Sequence, residues 1–294
     1  MSEKKKFIRK RLPPWLRNKN ILKPSSHRIK RILRKYSLHS VCEEANCPNR
    51  GECFSMGTAT FLIMGDICTR NCRFCAIKKG RPAPLDEKEP ENLRLAIAEM
   101  ELNYVVLTSV TRDDLPDGGA EHFKRCVESI KNMDRDIIVE VLVPDFKGDL
   151  KSIETVISSG IDVFNHNIET VPSLYEKVRP MANYNTSLNV LKMAKELNSK
   201  MPVKSGIMVG LGESMEEIEK TLDDIKNTGC DLITIGQYLQ PKHSNLTVDR
   251  YLTPEEFDKI REYALNIGFK GVFSSPLVRS SYLAHKMFVK VKNG

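Results

Sequence analysis

Nowhere in these 294 residues does an uncharged apolar run approach the ~18 residues that a membrane-crossing helix needs. The N-terminus, MSEKKKFIRKRLPPWLRNKN, is charged from its start and holds no apolar signal-peptide core. A spanning or exported chain is therefore not expected, and the sequence reads as cytoplasmic. Internal repeats and Gly/Ser linkers are missing too, which leaves no sign of a repeat array or of loosely tethered domains. Acidic residues are scarce in one place only. Residues 1–36 carry 14 Lys and Arg against the single acid Glu3, a charge of +13, so that of the overall +8 the remaining residues keep −5. The basic character belongs to the leader. It is either a solvated arm or a docking element for an acidic protein partner or for nucleic acid, with Trp15 in LPPWLR as a candidate apolar anchor.

What the chain does have is a 40% apolar content, enough for a sizeable core, and an alternation of short apolar runs with amphipathic stretches. The patterns predict strands at 60–67, 104–110, 136–142, 162–169, 203–209 and 232–239, most of them rich in Val and Ile. Ser214 to Glu217 and Thr253 to Glu256 read as capping boxes, the second with Pro254 at the first helical position. After the first of these, Ile218, Leu222 and Ile225 form an apolar face, and Gly229 stands where a helix would stop. Repeated strand and helix units imply a parallel α/β sheet with right-handed crossovers, open or closed into a whole or partial barrel.

The strands also predict an active end. In DVFNHNIET a period of two sets Asn165, Asn167 and Glu169 on one side and Phe164, His166 and Ile168 on the other. In VKSGIMV, Lys204, Gly206 and Met208 share a face. Thr108, Ser109, Glu169 and Gln240 fall near the C-terminal ends of their strands, where parallel barrels bind ligands.

Cysteine is sparse, eight in all, yet six stand in the 34 residues from Cys42 to Cys75. They form two sets of three: Cys42, Cys47 and Cys53 in CEEANCPNRGEC, and Cys68, Cys72 and Cys75 in CTRNCRFC. In a reducing compartment such clustering points to metal chemistry more than to disulfides. Three thiolates on a four-iron cluster leave one iron free to bind something else, whereas structural zinc takes a closed set of four ligands and would have to borrow one. Cys126 and Cys230 stand alone and read as small buried hydrophobes.

The C-x3-C-x-Phe-C pattern after the first strand, with Phe74 just before the third cysteine, resembles the radical S-adenosylmethionine superfamily. The upstream C-x4-C-x5-C triad, with LPPWLR, SVTRDDLPDGGAEHF, NHNIETV, KSGIMVGLGE, IGQYLQP and PLVRSSY, is similar to the lipoyl synthase family across more than nine-tenths of the chain. The resemblance implies an α/β fold of the radical S-adenosylmethionine type. That fold is a partial (β/α)6 barrel over 58–270, preceded by a basic cluster-binding extension at 1–57 and followed by a C-terminal segment at 271–294. It implies two [4Fe-4S] clusters and S-adenosyl-L-methionine. One cluster, on Cys68, Cys72 and Cys75, binds S-adenosylmethionine at its open iron and cleaves it to a 5′-deoxyadenosyl radical. The other, on Cys42, Cys47, Cys53 and Ser281, is the sulfur source. Breaking an alkyl C–H bond lies beyond side-chain acid–base chemistry, so a cofactor must supply the radical.

The implied reaction replaces C–H by C–S bonds at C6 and C8 of an octanoyl group on a carrier lysine. The implied partners are octanoylated lipoyl-carrier domains, namely the acyltransferase of a 2-oxoacid dehydrogenase or the glycine cleavage H protein. An electron donor such as flavodoxin or ferredoxin and an iron–sulfur carrier for cluster rebuilding join them, without nucleic acid or membrane. From position in the barrel, Thr108, Ser109, Asn165, Asn167 and Glu169 are expected to contact S-adenosylmethionine, with Arg179 and Lys204 as polar contacts to cofactor or substrate. A methylthiotransferase acting on tRNA would share two clusters and a basic surface, but only thirteen residues follow Ser281. A biotin-synthase-like enzyme disperses its auxiliary cysteines over the barrel, and a simple electron carrier needs no barrel.

Overall fold

The structure, a computed structural model, describes residues 11–17, 25–55 and 59–292. Residues 1–10 and 18–24 of the basic leader, and the boundary expected between 57 and 58, lie outside the described residues. In chain order the regular elements are α1 (Ser25–Lys35), β1 (His39–Ser40), α2 (Val41–Glu44), α3 (Arg50–Ser55), β2 (Thr60–Ile63), β3 (Ile67–Cys68), β4 (Lys78–Lys79), α4 (Glu89–Met100), β5 (Tyr104–Ser109), α5 (Ala120–Lys131) and β6 (Ile138–Leu142). They continue with α6 (Leu150–Ser158), β7 (Val163–Asn165), α7 (Tyr175–Val178), α8 (Tyr184–Leu197), β8 (Val203–Val209), α9 (Met215–Asn227), β9 (Leu232–Gln237), α10 (Pro254–Asn266), β10 (Gly271–Ser274) and α11 (Ala284–Lys292).

The main sheet runs β1-β2-β5-β6-β7-β8-β9-β10 and does not close. Every neighbouring pair from β2 to β10 is parallel, and only β1 runs against β2, with His39 opposite Leu62. All six expected strands are present, and together they build the partial barrel. A seventh parallel strand, β10, joins them although GVFS is too short and mixed to announce itself, and it lies past the expected barrel limit at 270. Its helix α11 reaches back to β5: the Tyr104 ring meets His285 and Phe288 edge-on at 6.4 and 6.0 Å.

The helices follow their local chemistry. Both capping boxes form, Ser214 with Glu217 and Thr253 with Glu256. Ile218, Leu222 and Ile225 are wholly buried, and Gly229 takes the left-handed φ of 86° that ends α9. Cys126 and Cys230 are wholly buried. The extension is not a separate unit: Ile29, Ile32 and Leu33 of α1, at i, i+3 and i+4, enter the same core as Leu93 and Ile97 of α4. The strands with both faces covered, such as β2 with its four buried residues, read as unbroken apolar runs for the same reason.

Two expected strands stop early. The chain leaves β2 at Met64 and Gly65, both with positive φ, and Ile67–Cys68 pairs with Lys78–Lys79 in a small ladder of its own. β7 ends at Asn165, and the backbone rejoins the sheet only through a single bridge at Glu169, itself at φ 72°. Among the described residues no helix is long and apolar enough to cross a membrane.

Candidate active site

The ladder between β3 and β4 closes the loop that carries Cys68, Cys72 and Cys75, and neighbouring segments pin it on every side. Cys68 Sγ accepts the backbone N–H groups of Arg70 at 3.4 Å and Thr111 at 3.3 Å. Asn245 Nδ2 donates to the carbonyls of Arg73 and Cys75, and Lys242 Nζ to that of Ala76. Within the loop, Arg70 is 6% exposed and forks onto two carboxylates. Its nitrogens lie 2.7 and 2.9 Å from Asp113 and 2.6 and 2.7 Å from Asp145. Burial alone would raise the Asp145 pKa, but hydrogen bonding and charge from Arg70 more than offset it and hold the carboxyl at about 2. This anchor was not among the expected site residues. Its signal was present, since Asp113 lies in SVTRDD and Arg70 inside the cysteine motif.

The upstream triad sits on lighter scaffolding. Cys42 lies in α2, a single turn capped by Ser40, whose side chain accepts the Glu43 N–H. Cys47 follows the left-handed Asn46, and Cys53 lies in α3. The C-terminal segment closes over them. Asn49 Nδ2 donates to the Leu277 carbonyl at 2.7 Å across 228 residues, and the Tyr282 hydroxyl donates to Glu52 at 3.0 Å. The same segment lies against β9 because Gly236 has no side chain: a Cβ there would stand 2.2 Å from the Val278 carbonyl oxygen.

Both triads and Ser281 wall one cavity of about 1380 Å³. Of the expected contacts, Phe74, Thr108, Ser109, Asn167, Glu169 and Arg179 line it, as does Gln240. Asn165 and Lys204 do not. Both donate to Glu140 Oε1 at 2.8 Å, and Glu140 also accepts the Tyr104 hydroxyl at 2.6 Å. Lys204 and Glu140 are each 1% exposed, so this ion pair belongs to the barrel interior and Lys204 has no reach toward a ligand in the cavity. His166, set by the alternation on the opposite face, instead joins Asn167 and Glu169 in the wall, because β7 ends one residue before it.

His166 Nδ1 donates to the Val143 carbonyl at 2.9 Å, which fixes the tautomer and leaves Nε2 as a buried acceptor without a protein partner. Burial, and then the charge of Arg179, pushes its pKa down to about 4. Glu169 is raised by burial, against the pull of Arg179. Arg179 donates to the Tyr175 hydroxyl at 2.7 Å and to the Asn167 carbonyl at 3.2 Å.

The donor sets fit the groups expected of them. A single zinc ion with sulfur ligands at about 2.3 Å would hold the sulfurs ~3.8 Å apart in a tetrahedron. Neither triad forms a set of ligand atoms all within 4.8 Å of one another, so neither is drawn in around a single small ion. Burial drives Cys42 and Cys75 up to about 12 and raises Cys72, so these sulfurs are thiols unless a bound metal displaces their protons to solvent. The N–H donors on Cys68 are of the kind that tune iron–sulfur potentials. In the wall, Ser109 Oγ, His166 Nε2 and Arg179 Nε are buried without protein partners, which suits a ligand as polar as S-adenosylmethionine. The one group of three tightly grouped ligand-type side chains among the described residues is Glu89, His122 and Cys126, away from the cavity. There Glu89 accepts the Met64 N–H and meets His122 Nε2 at 2.6 Å, tying the end of β2 to two helices.

A family profile for the radical S-adenosylmethionine superfamily matches residues 62–225, and one for the N-terminal domain of lipoyl synthase matches residues 1–47. The lipoyl synthase of Thioalkalivibrio sulfidiphilus is 52% identical over 96% of this chain and 88% of its own. That of Caldanaerobacter subterraneus is 53% identical over 93% and 96%, respectively. The chain belongs to the lipoyl synthase family. As a member of that family it is an enzyme, a sulfurtransferase of the radical S-adenosylmethionine superfamily, and the family implies a [4Fe-4S] cluster and S-adenosylmethionine. Among solved structures, methylornithine synthase superposes with a TM-score of 0.51 over 84% of this chain and 81% of its own at 18% identity, and HydG with 0.59 over 90% and 70% at 13%. These two likenesses concern the fold.

Proposed function

We propose that this lipoyl synthase family member inserts two sulfur atoms, at C6 and C8 of an octanoyl group on a carrier lysine, and draws them from a second [4Fe-4S] cluster. Cys68, Cys72 and Cys75 would hold the cluster that works with S-adenosylmethionine, and Cys42, Cys47, Cys53 and Ser281 the second. When bound, these groups supply a 5′-deoxyadenosyl radical and sulfur, respectively. The observation that carries the reading is that both triads and Ser281 face one cavity, so radical site and sulfur site can serve the same acyl chain without a substrate transfer. The chain's own residues have defined tasks. Ser109, Asn167, Glu169 and Arg179 present polar groups to S-adenosylmethionine, with Thr108 and Phe74 beside them, and His166 Nε2 offers an acceptor. Val110, Val143 and Met208 supply apolar wall that excludes water from an intermediate able to attack any C–H bond.

The substrates would be octanoylated lipoyl-carrier domains, such as a 2-oxoacid dehydrogenase acyltransferase or the glycine cleavage H protein. Flavodoxin or ferredoxin would donate electrons, and an iron–sulfur carrier would restore the second cluster. Arg11, Arg17, Lys79 and Lys177 at the cavity give an acidic carrier a complementary surface. Six cysteines that must stay reduced to hold iron suit a reducing compartment, which supports a cytoplasmic setting. Replacing Cys42, Cys47 and Cys53 together with Ala is expected to leave reductive cleavage of S-adenosylmethionine measurable while no lipoyl product forms. Lipoyl product from that variant would sink the proposal.

A further inference from the structure

Ser280 precedes the proposed ligand Ser281, and its hydroxyl is engaged both as donor and as acceptor. It accepts a hydrogen bond from Asn165 Nδ2 at 3.0 Å and donates one to Asn167 Oδ1 at 3.0 Å. Neither bond stands alone. Asn165 Nδ2 also donates to Glu140, which Lys204 and Tyr104 hold in place, while Asn167 Nδ2 donates to Glu169 at 3.1 Å. A single polar run thus crosses the barrel interior from the buried ion pair to the cavity wall, and the C-terminal segment is tied into it through one hydroxyl. The slot needs a group that accepts on one side and donates on the other, which serine and threonine offer and alanine does not.

The other ties of this segment go elsewhere. Leu277 and Tyr282 hydrogen-bond Asn49 and Glu52, on the arm that carries Cys47 and Cys53. Residues 277–282 are therefore fastened to the cysteine arm at both ends and to the barrel in the middle, with Ser281 beside the barrel tie. We infer that Ser280 is a positioning residue: its bonds to Asn165 and Asn167 set where Ser281 stands over the upstream cysteines, and so whether the second cluster keeps its fourth ligand. The inference rests on the proposed ligand role of Ser281.

The test compares reconstituted wild-type enzyme with Ser280→Ala, Ser280→Thr, Asn165→Ala and the double variant Ser280→Ala/Asn165→Ala, reading backbone hydrogen exchange across 277–282. Ser280→Ala is expected to speed exchange there about tenfold, as loss of a hydrogen bond that leaves its partners buried implies. Threonine should stay within about twofold of wild type, and the double variant should exchange no faster than the faster single one, since both changes remove the same tie. In a Cys68/Cys72/Cys75→Ala background, Ser280→Ala should lower iron from about four per chain toward three, with an altered Mössbauer spectrum, while threonine keeps four. Unchanged exchange in Ser280→Ala, additive effects in the double variant, or faster exchange with full iron content would each overturn the inference. Should Ser280→Ala fail to fold, Asn165→Ala carries the same readouts. Failure of the proposed function itself would look different: the Cys68/Cys72/Cys75→Ala protein with Ser280 intact would hold no cluster, whereas its exchange protection would be normal.

Discussion

Around Cys68, Cys72 and Cys75 the supports come from the body of the barrel. Backbone N–H groups reach one sulfur, side chains from the 242–245 turn hold the loop carbonyls, and the Arg70 fork binds the loop to Asp113 and Asp145. Around Cys42, Cys47 and Cys53 they come from short helices and from the far end of the chain, through Asn49 with Leu277 and Glu52 with Tyr282. The difference suits the two tasks proposed. A cluster that passes an electron and returns to its starting state benefits from a rigid, buried seat. One that gives up sulfur and is rebuilt needs a seat that opens without unfolding the barrel, and contacts between two chain ends have the lowest local stability.

The sharpest way to break this comparison is at Arg70. Arg70→Ala leaves two carboxylates without their buried partner, which costs about 3–5 kcal/mol. It should abolish S-adenosylmethionine cleavage and markedly lower the melting temperature. Arg70→Lys should recover only part of either, because an ammonium cannot fork onto two carboxylates. Intact cleavage in Arg70→Ala would mean the loop's rigidity is supplied elsewhere.

A somewhat smaller effect, confined to the barrel side, is expected from pH. In the folded protein His166 takes up its proton only near pH 4, below the usual 6.5, because of burial and then Arg179. The unfolded chain binds that proton first, so the folded state keeps its full stability above pH 6.5 and loses it as pH falls toward 4, by about 3 kcal/mol. Denaturant melts of wild type and His166→Asn between pH 7 and 5 test this, and the variant should lack the decline.

The smallest effect belongs to the chain-end latch. Asn49→Ala should cost about 1–2 kcal/mol locally, through the lost bond to the Leu277 carbonyl. It should increase iron loss from the upstream site while barrel melting stays within error of wild type. Tyr282→Phe, at a more exposed bond, should do the same more weakly. Equal iron loss from both clusters in these variants would erase the distinction between the two regions.

Much of this was legible in sequence because it is local. Strands β2, β5, β6, β8 and β9 follow from short Val- and Ile-rich runs, the caps of α9 and α10 from four-residue motifs, and the two triads from spacing alone. Phe74, Thr108, Ser109, Asn167, Glu169 and Arg179 were placed at the site by strand periodicity and motif resemblance, and the cavity includes them. Periodicity failed where the backbone left the pleat. β7 ends at Asn165, so Asn165 stays with Glu140 and His166 turns to the wall. Lys204 keeps its predicted inward face, but whether an inward lysine meets a ligand or a carboxylate depends on Glu140, 64 residues away.

By itself the sequence determined which atoms could ligate iron, where helices start and stop, and that a parallel sheet with an active end would form. Each of these depends on neighbours within a few residues: thiolate spacing, side-chain caps and the two-residue pleat. Tertiary structure alone decided that the two triads share a cavity, that Arg70 sits between Asp113 and Asp145, that GVFS becomes a seventh strand, and that Ser280 ties residues 277–282 to the barrel. The reason is physical. A hydrogen bond or ion pair across 43 to 230 residues exists only after burial has brought its partners out of water and left them no other choice, and no local pattern records that choice.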